Sequence, residues 1–144
     1  MEKMLIIDDD ISINESLRFA FKDQYELYFA NSPEEIKNCV LNYDLDIILL
    51  DLKLGSYDGL EILSEIKEID PHAVIIIITA YGTIDSSITA IKKGAFHYIT
   101  KPIELSELKL FVEKGITFRS LHKRISYLSE KLKKQHELDG IIAE

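Results

Sequence analysis

The chain has 144 residues, 47% of them hydrophobic and 29% charged, with a formal net charge of −8. That suits one globular domain plus a short appendage, and it argues against a nucleic-acid-binding surface, which is basic. A single cysteine, Cys39, excludes an internal disulfide and fits a reducing compartment. The N-terminus MEKMLIIDDD lacks the apolar core of a signal peptide, and no apolar run approaches the roughly 18 residues of a membrane span. A cytoplasmic protein without membrane contact is therefore expected.

Strand and helix signals alternate along the chain. KMLIID (3–8) is a short apolar run closed by acids and reads as a buried strand. SINESLRFAFKD (12–23) spaces Ile13, Leu17, Ala20 and Phe21 as one helix face, with Ser12 and Glu15 arranged as a capping box. YELYFA (25–30) reads as a second strand. SPEEIKNCVLN (32–42) opens on Ser-Pro, a helix-start signal. Cys39 sits beside Val40 on its apolar side and is expected in the core.

LDIILLD (45–51) is a third strand that again ends in an acid. LKLGSYD (52–58) reads as loop, and GLEILSEIKEID (59–70) as helix with Leu60, Leu63 and Ile66 on one face. AVIIIITA (73–80) is uniformly apolar and β-branched, the habit of a parallel strand covered on both faces. TIDSSITAIKKG (83–94) reads as helix with Ile84, Ile88 and Ile91 inward and Gly94 as its stop. FHYIT (96–100) is a fifth strand, and a long helix begins near Glu104.

Five strands alternating with helices imply an α/β, flavodoxin-like, doubly wound parallel sheet with an extended C-terminal helix. With strand order 2-1-3-4-5 the ligand crevice lies at the carboxyl ends of strands one and three. Asp8, Asp9 and Asp51 end those strands, Thr79 ends strand four, and Lys101 follows strand five. Three carboxylates on one rim make a hard-oxygen site that suits octahedral Mg²⁺ better than zinc or copper. The cation would neutralise the crowded acids, and Lys101 offers a further positive charge. The metal pair is Asp8 and Asp9, which continue straight from Ile6-Ile7, or alternatively Asp9 and Asp10. His72, His97, His122 and His136 lack ligand spacing.

The stretches LIIDDD, IILLDLKLGSYDG, IIIITAYGT and KGAFHYITKP, in that order, resemble the receiver domain of two-component response regulators over residues 1–118. The resemblance implies that Asp51 is the phosphoacceptor, receiving a phosphoryl group from a sensor histidine kinase. It implies Mg²⁺ held by Asp8, Asp9, Asp51 and the backbone carbonyl of Lys53. It further implies that Lys101 and Mg²⁺ stabilise the transferring group, that Thr79 and Tyr98 switch together, and that Lys101-Pro102 is cis. Leu54-Gly55 stands where many members of the family carry Met-Pro, while Asp58-Gly59 is retained.

Past residue 118 the helix pattern continues. Phe118, Leu121, Ile125, Leu128 and Leu132 recur at intervals of 3, 4, 3 and 4, a coiled-coil seam of about two heptads. Residues 119–138 are thus expected to form a linker helix that pairs with a second copy. The face of the fourth helix, fifth strand and fifth helix is expected to share in the homodimer. The stretch from Ala80 to Pro102 is particularly similar to receivers of sigma-54-dependent (NtrC-type) transcriptional activators, and DGIIAE (139–144) is similar to the opening of their ATPase domain. That resemblance implies an output module beyond residue 138 and control of transcription. A stand-alone phosphorelay receiver is the alternative, disfavoured by the extended seam. An aspartyl-nucleophile phosphatase is a weaker one, because Lys53 stands where a second acid is usual.

Overall fold

The computed structural model describes the backbone of residues 1–143 and the side chains of residues 1–135. In chain order the elements are β1 (Glu2–Ile7), α1 (Ile11–Phe21), β2 (Tyr25–Ala30), α2 (Pro33–Asn42), β3 (Ile47–Leu50), β4 (Lys53–Leu54), β5 (Tyr57–Asp58), α3 (Gly59–Ile69), β6 (Ile75–Thr79), α4 (Ile84–Lys92), β7 (His97–Thr100) and α5 (Leu105–Ala143). The main sheet runs β2-β1-β3-β6-β7 with every neighbour parallel. This is the expected 2-1-3-4-5 order once β4 and β5 are set aside. Those two form a small antiparallel hairpin inside the stretch expected as plain loop.

The continuous apolar strands are explained by two covered faces. Successive side chains of a strand point to opposite sides. Leu5, Ile7, Ile48, Leu50, Ile75 and Ile77 pack with Ile36 and Val40 of α2 and with Ile62, Leu63 and Ile66 of α3. Met4, Ile6, Leu49, Ile76 and Ile78 pack on the other face with Leu17 and Phe21 of α1 and with Leu108 and Val112 of α5. Cys39 is half-buried against the first of these cores.

Two helix readings are corrected. The N-cap of α1 is Asp10, whose side chain accepts the N–H groups of Ser12 and Ile13. Ser12 lies inside the helix, because an aspartate at the end of the β1 turn reaches the free amides first. In α4 the isoleucines face outward: Ile84 is 80%, Ile88 47% and Ile91 50% exposed. The helix turns Ser86, Ser87 and the fully buried Ala90 toward the domain instead. Small side chains let α4 sit close to β7, and its apolar stripe is left on the surface.

α5 continues through Gly115 without a break. A Cβ at Gly115 would lie 2.8 Å from Ile47 Cδ1 and 2.9 Å from Val74 Cγ1, so glycine lets the helix cross here without displacing those side chains. One turn later the guanidinium of Arg119, 4% exposed, donates to Asp44 and to Asp70 Oδ2 (2.9 Å). Lys123 also reaches Asp44 at 2.9 Å. The helix is therefore rooted in the domain as far as Lys123. Beyond that, Ile125, Leu128 and Leu132 are 58%, 49% and 66% exposed. The expected opening of a further domain at 139–144 falls among residues whose side chains lie outside the described part.

Arg119→Ala removes two charge-assisted hydrogen bonds and the packing of a buried stem. Because Asp44 is largely solvated, the expected loss of stability in urea unfolding is about 1–2 kcal/mol. Arg119→Lys, which cannot span both acids, is expected to recover less than half of it.

Candidate functional site

Parallel strands deliver the polar groups that follow them to one edge of the sheet. Asp8 follows β1 and Asp51 follows β3; Ile7 pairs in register with Leu50, and Asp51 N–H donates to the Ile7 carbonyl at 2.9 Å. Thr79 is the last residue of β6 and Thr100 the last of β7, paired in register, so Lys101 arrives beside them. Lys101-Pro102 is cis.

The Lys101 ammonium lies 2.9 Å from Asp8 Oδ2 and 2.9 Å from Asp51 Oδ2. Both acids are buried, each 5% exposed. The second oxygens of the two carboxylates are held by backbone: Asp8 Oδ1 accepts the N–H of Asp10 at 2.9 Å, and Asp51 Oδ1 accepts that of Lys53 at 3.1 Å. Asp9 is exposed and leans toward the β4–β5 turn, where Gly55 (φ +56°) leaves a 3.8 Å gap between its Cβ position and Asp9 Oδ2. Leu54 beside it is buried in the core. The Lys53 ammonium lies 4.2 Å over the ring of Tyr81.

One lysine does not balance these acids. Burial pushes the Asp8 carboxyl above its ordinary value, although the Asp10 amide and Lys101 pull the other way. Burial works against the Lys101 charge too, yet its hydrogen bonds to Asp8 and Asp51 outweigh that and hold the ammonium above its usual range. With Asp9 the rim carries three carboxylates against one ammonium, a deficit that one divalent cation would fill. The donors are hard oxygens, which fit Mg²⁺. Among the described residues, no three acidic, histidine or cysteine side chains are already gathered as a metal cage.

Thr79 is fully buried, and its Oγ1 accepts the N–H of Tyr81 at 3.2 Å. Tyr98 lies on β7, half-buried, with its hydroxyl 2.9 Å from Ser86 Oγ. Three residues have supporting roles that the sequence does not reveal. Asp10 spends its carboxylate on the α1 cap. Asn14 Nδ2 donates to the Asp8 carbonyl at 2.9 Å and fixes the turn that aims the acids. Gly59 lets α3 start against the backbone that follows Asp51: a Cβ there would lie 2.4 Å from Leu52 Cα. The retained Asp58-Gly59 pair carried the only signal for any of these, since Asp58 also caps α3 by accepting the Leu60 N–H.

Fold and rim together define a doubly wound α/β protein with an acidic crevice at its topological switch point. The chain belongs to the response regulator receiver domain family, whose model matches residues 4–125. It is 29% identical to the Regulatory protein AtoC of Escherichia coli (strain K12), over 92% of this chain and 29% of AtoC. A response regulator receiver domain protein from Clostridium thermocellum is 34% identical, with a TM-score of 0.77 over 84% of this chain and 98% of that one. The beryllofluoride-activated NtrC4 receiver domain dimer is 29% identical, with a TM-score of 0.78 over 83% of this chain and 99% of that one. The chain spans less than a third of the length of the curated relatives it matches. Among the described residues no helix is long and apolar enough to cross a membrane.

Burial of the Asp8 carboxyl couples folding to pH. The folded chain holds that proton more tightly than the unfolded chain, so this contribution to stability is full below pH 3.8 and is lost as pH rises through the higher native value. Asp8→Asn carries no charge to desolvate. Without divalent cations it is expected to flatten that slope and to raise the urea midpoint at pH 7; a lower midpoint would contradict the charge deficit.

Proposed function

We propose that Asp51 is the phosphoacceptor of this receiver and that a sensor histidine kinase supplies the phosphoryl group. The observation that carries the reading is the Lys101 ammonium set at equal distance, 2.9 Å, from Asp8 and Asp51. A lysine so placed can leave Asp51 for a phosphoryl oxygen while keeping Asp8. An Asp51 oxygen attacks phosphorus, the P–N bond to the kinase imidazole breaks, and the electron pair leaves with that ring. The product is an acyl phosphate on Asp51.

Mg²⁺ held by Asp8, Asp9, Asp51 and the Lys53 carbonyl would supply charge neutralisation to the incoming phosphoryl oxygens. The register Asp8–Asp9 is supported by the commitment of Asp10 to the α1 cap. Lys101 stabilises the same oxygens from the other side, a preorganised charge that needs no rearrangement of water. Asn14 keeps the Asp8 backbone in place. Thr79 Oγ1 exchanges the Tyr81 amide for a phosphoryl oxygen, and Tyr98 moves into the space it vacates.

The output follows from the surface. The exposed stripe of Ile84, Ile88 and Ile91 on α4, together with the seam of Phe118, Leu121, Ile125, Leu128 and Leu132, supports a homodimer through α4, β7, α5 and the linker helix. The NtrC4 receiver, similar in fold, is described as a dimer in its beryllofluoride-activated form. Phosphorylation shifts the population between two dimer packings, and residues 119–138 pass the change to a downstream module. By similarity that module is a sigma-54-dependent transcription activator, and the working place is the cytoplasm.

Incubation with acetyl phosphate and Mg²⁺ is expected to add one phosphoryl group per chain by intact mass, and none to Asp51→Asn. Lys101→Met is expected to slow the reaction by about 10²–10³-fold. Phosphorylation of Asp51→Asn to the same extent would move the acceptor elsewhere. In sedimentation velocity, beryllofluoride with Mg²⁺ is expected to change the mass or shape of the particle; an unchanged profile would remove the dimer switch.

A further inference from the structure

The hydroxyl of Tyr98 has a partner that the switch reading does not use. Ser86 Oγ, 2.9 Å away, belongs to the capping box that starts α4. It accepts the N–H of Thr83 at 2.9 Å and donates to the Thr83 carbonyl at 3.0 Å. The contact joins two hydroxyls, either of which can supply the proton, so the phenol is a further partner of the same Ser86 oxygen. Tyr98 thus closes the box from outside the helix. The loop before α4 is fitted to it as well: a Cβ on Gly82 would come within 2.8 Å of the phenol oxygen. One side chain therefore ties β7, whose end carries Lys101, to the start of the helix that follows Thr79.

We propose that Ser86 is a positioning residue, a latch that holds Tyr98 and the start of α4 in the unphosphorylated arrangement. This rests on the reading of Asp51 as phosphoacceptor and Tyr98 as the residue that moves. The contact belongs to the unmodified state: Lys101 spans Asp8 and Asp51 directly, and Thr79 Oγ1 is occupied by the Tyr81 amide. Departure of Tyr98 breaks the bond to Ser86 and leaves the α4 cap without its outer partner. A bond made in only one of two states sets the balance between them, and its loss favours the other. Latch strength and activation threshold are then the same quantity, tuned at a residue remote from the acids.

The test is the affinity of the full chain for beryllofluoride in the presence of Mg²⁺. Ser86→Ala and Tyr98→Phe are each expected to tighten binding about two- to tenfold, the worth of one neutral hydrogen bond. The double variant is expected to be no tighter than Ser86→Ala, because Tyr98→Phe removes a bond that Ser86→Ala has already removed. Ser86→Thr keeps the hydroxyl and is expected to return to the wild-type affinity. Ser87→Ala, which removes a hydroxyl bonded to the Ile84 carbonyl in the same turn, is expected to leave it unchanged. In unliganded Ser86→Ala the ¹³C ring signals of Tyr98 are expected to move toward their beryllofluoride-bound positions. If wild type binds and Ser86→Ala binds equally or more weakly, the latch is overturned and the phosphoacceptor reading stands. If wild type does not bind at all, the phosphoacceptor reading fails and takes the latch with it.

Discussion

One ammonium between two buried carboxylates organises this molecule. Asp8, Asp51 and Lys101 come from the ends of three different strands, and they meet only if β1, β3 and β7 end at the same edge. The parallel sheet supplies that coincidence, and the two apolar faces hold it rigid. The arrangement is not optimised for the resting protein. Three carboxylates face one ammonium, and burial raises the Asp8 carboxyl against the pull of its own partners, which marks the cost of holding that charge there. A surplus of negative charge favours a cation at this rim, and its burial comes at some expense of folding stability.

The same tension recurs in α4. An ordinary amphipathic helix would bury its isoleucines, yet Ile84, Ile88 and Ile91 lie outside and Ser86, Ser87 and Ala90 lie within. A helix seated by small and polar side chains has little hydrophobic energy tying it to its bed. Its place depends on directional contacts such as the Thr83–Ser86 box and the Tyr98 hydroxyl. Directional bonds are made or lost over a fraction of an ångström, whereas apolar packing changes gradually. Such a helix can therefore have two distinct seats.

What the sequence made legible follows the same division. The sheet order and the acidic rim were readable because uniformly apolar runs ending in acids admit few interpretations. Asp8, Asp51, Thr79 and Lys101 stand where that reading put them. The α4 orientation was not readable: three isoleucines at helical spacing resemble a core stripe, and nothing local says that the helix is turned around. Ser12 and Glu15 imitate a capping box, while the true cap, Asp10, stood among the candidate metal ligands. Arg119 carries no signal in the sequence that separates it from the other charges of its helix. Its partners Asp44 and Asp70 are 75 and 49 residues away, a distance over which no periodicity carries information.

Arg119 fixes α5 to the domain. The rim lies at the carboxyl edge of the sheet, and Asp44 and Asp70 precede β3 and β6, at the opposite edge. α5 spans both, pressed on the sheet at Gly115 and pinned one turn later. A flexible junction there would let the domain move without moving the linker. Close contact followed by an ionic clasp leaves no such joint, and the helix runs on unbroken to Ala143. β7 touches the same helix through the rings of His97 and Phe111, 3.6 Å apart, so a movement of β7 bears on a rod that extends at about 1.5 Å per residue past the clasp.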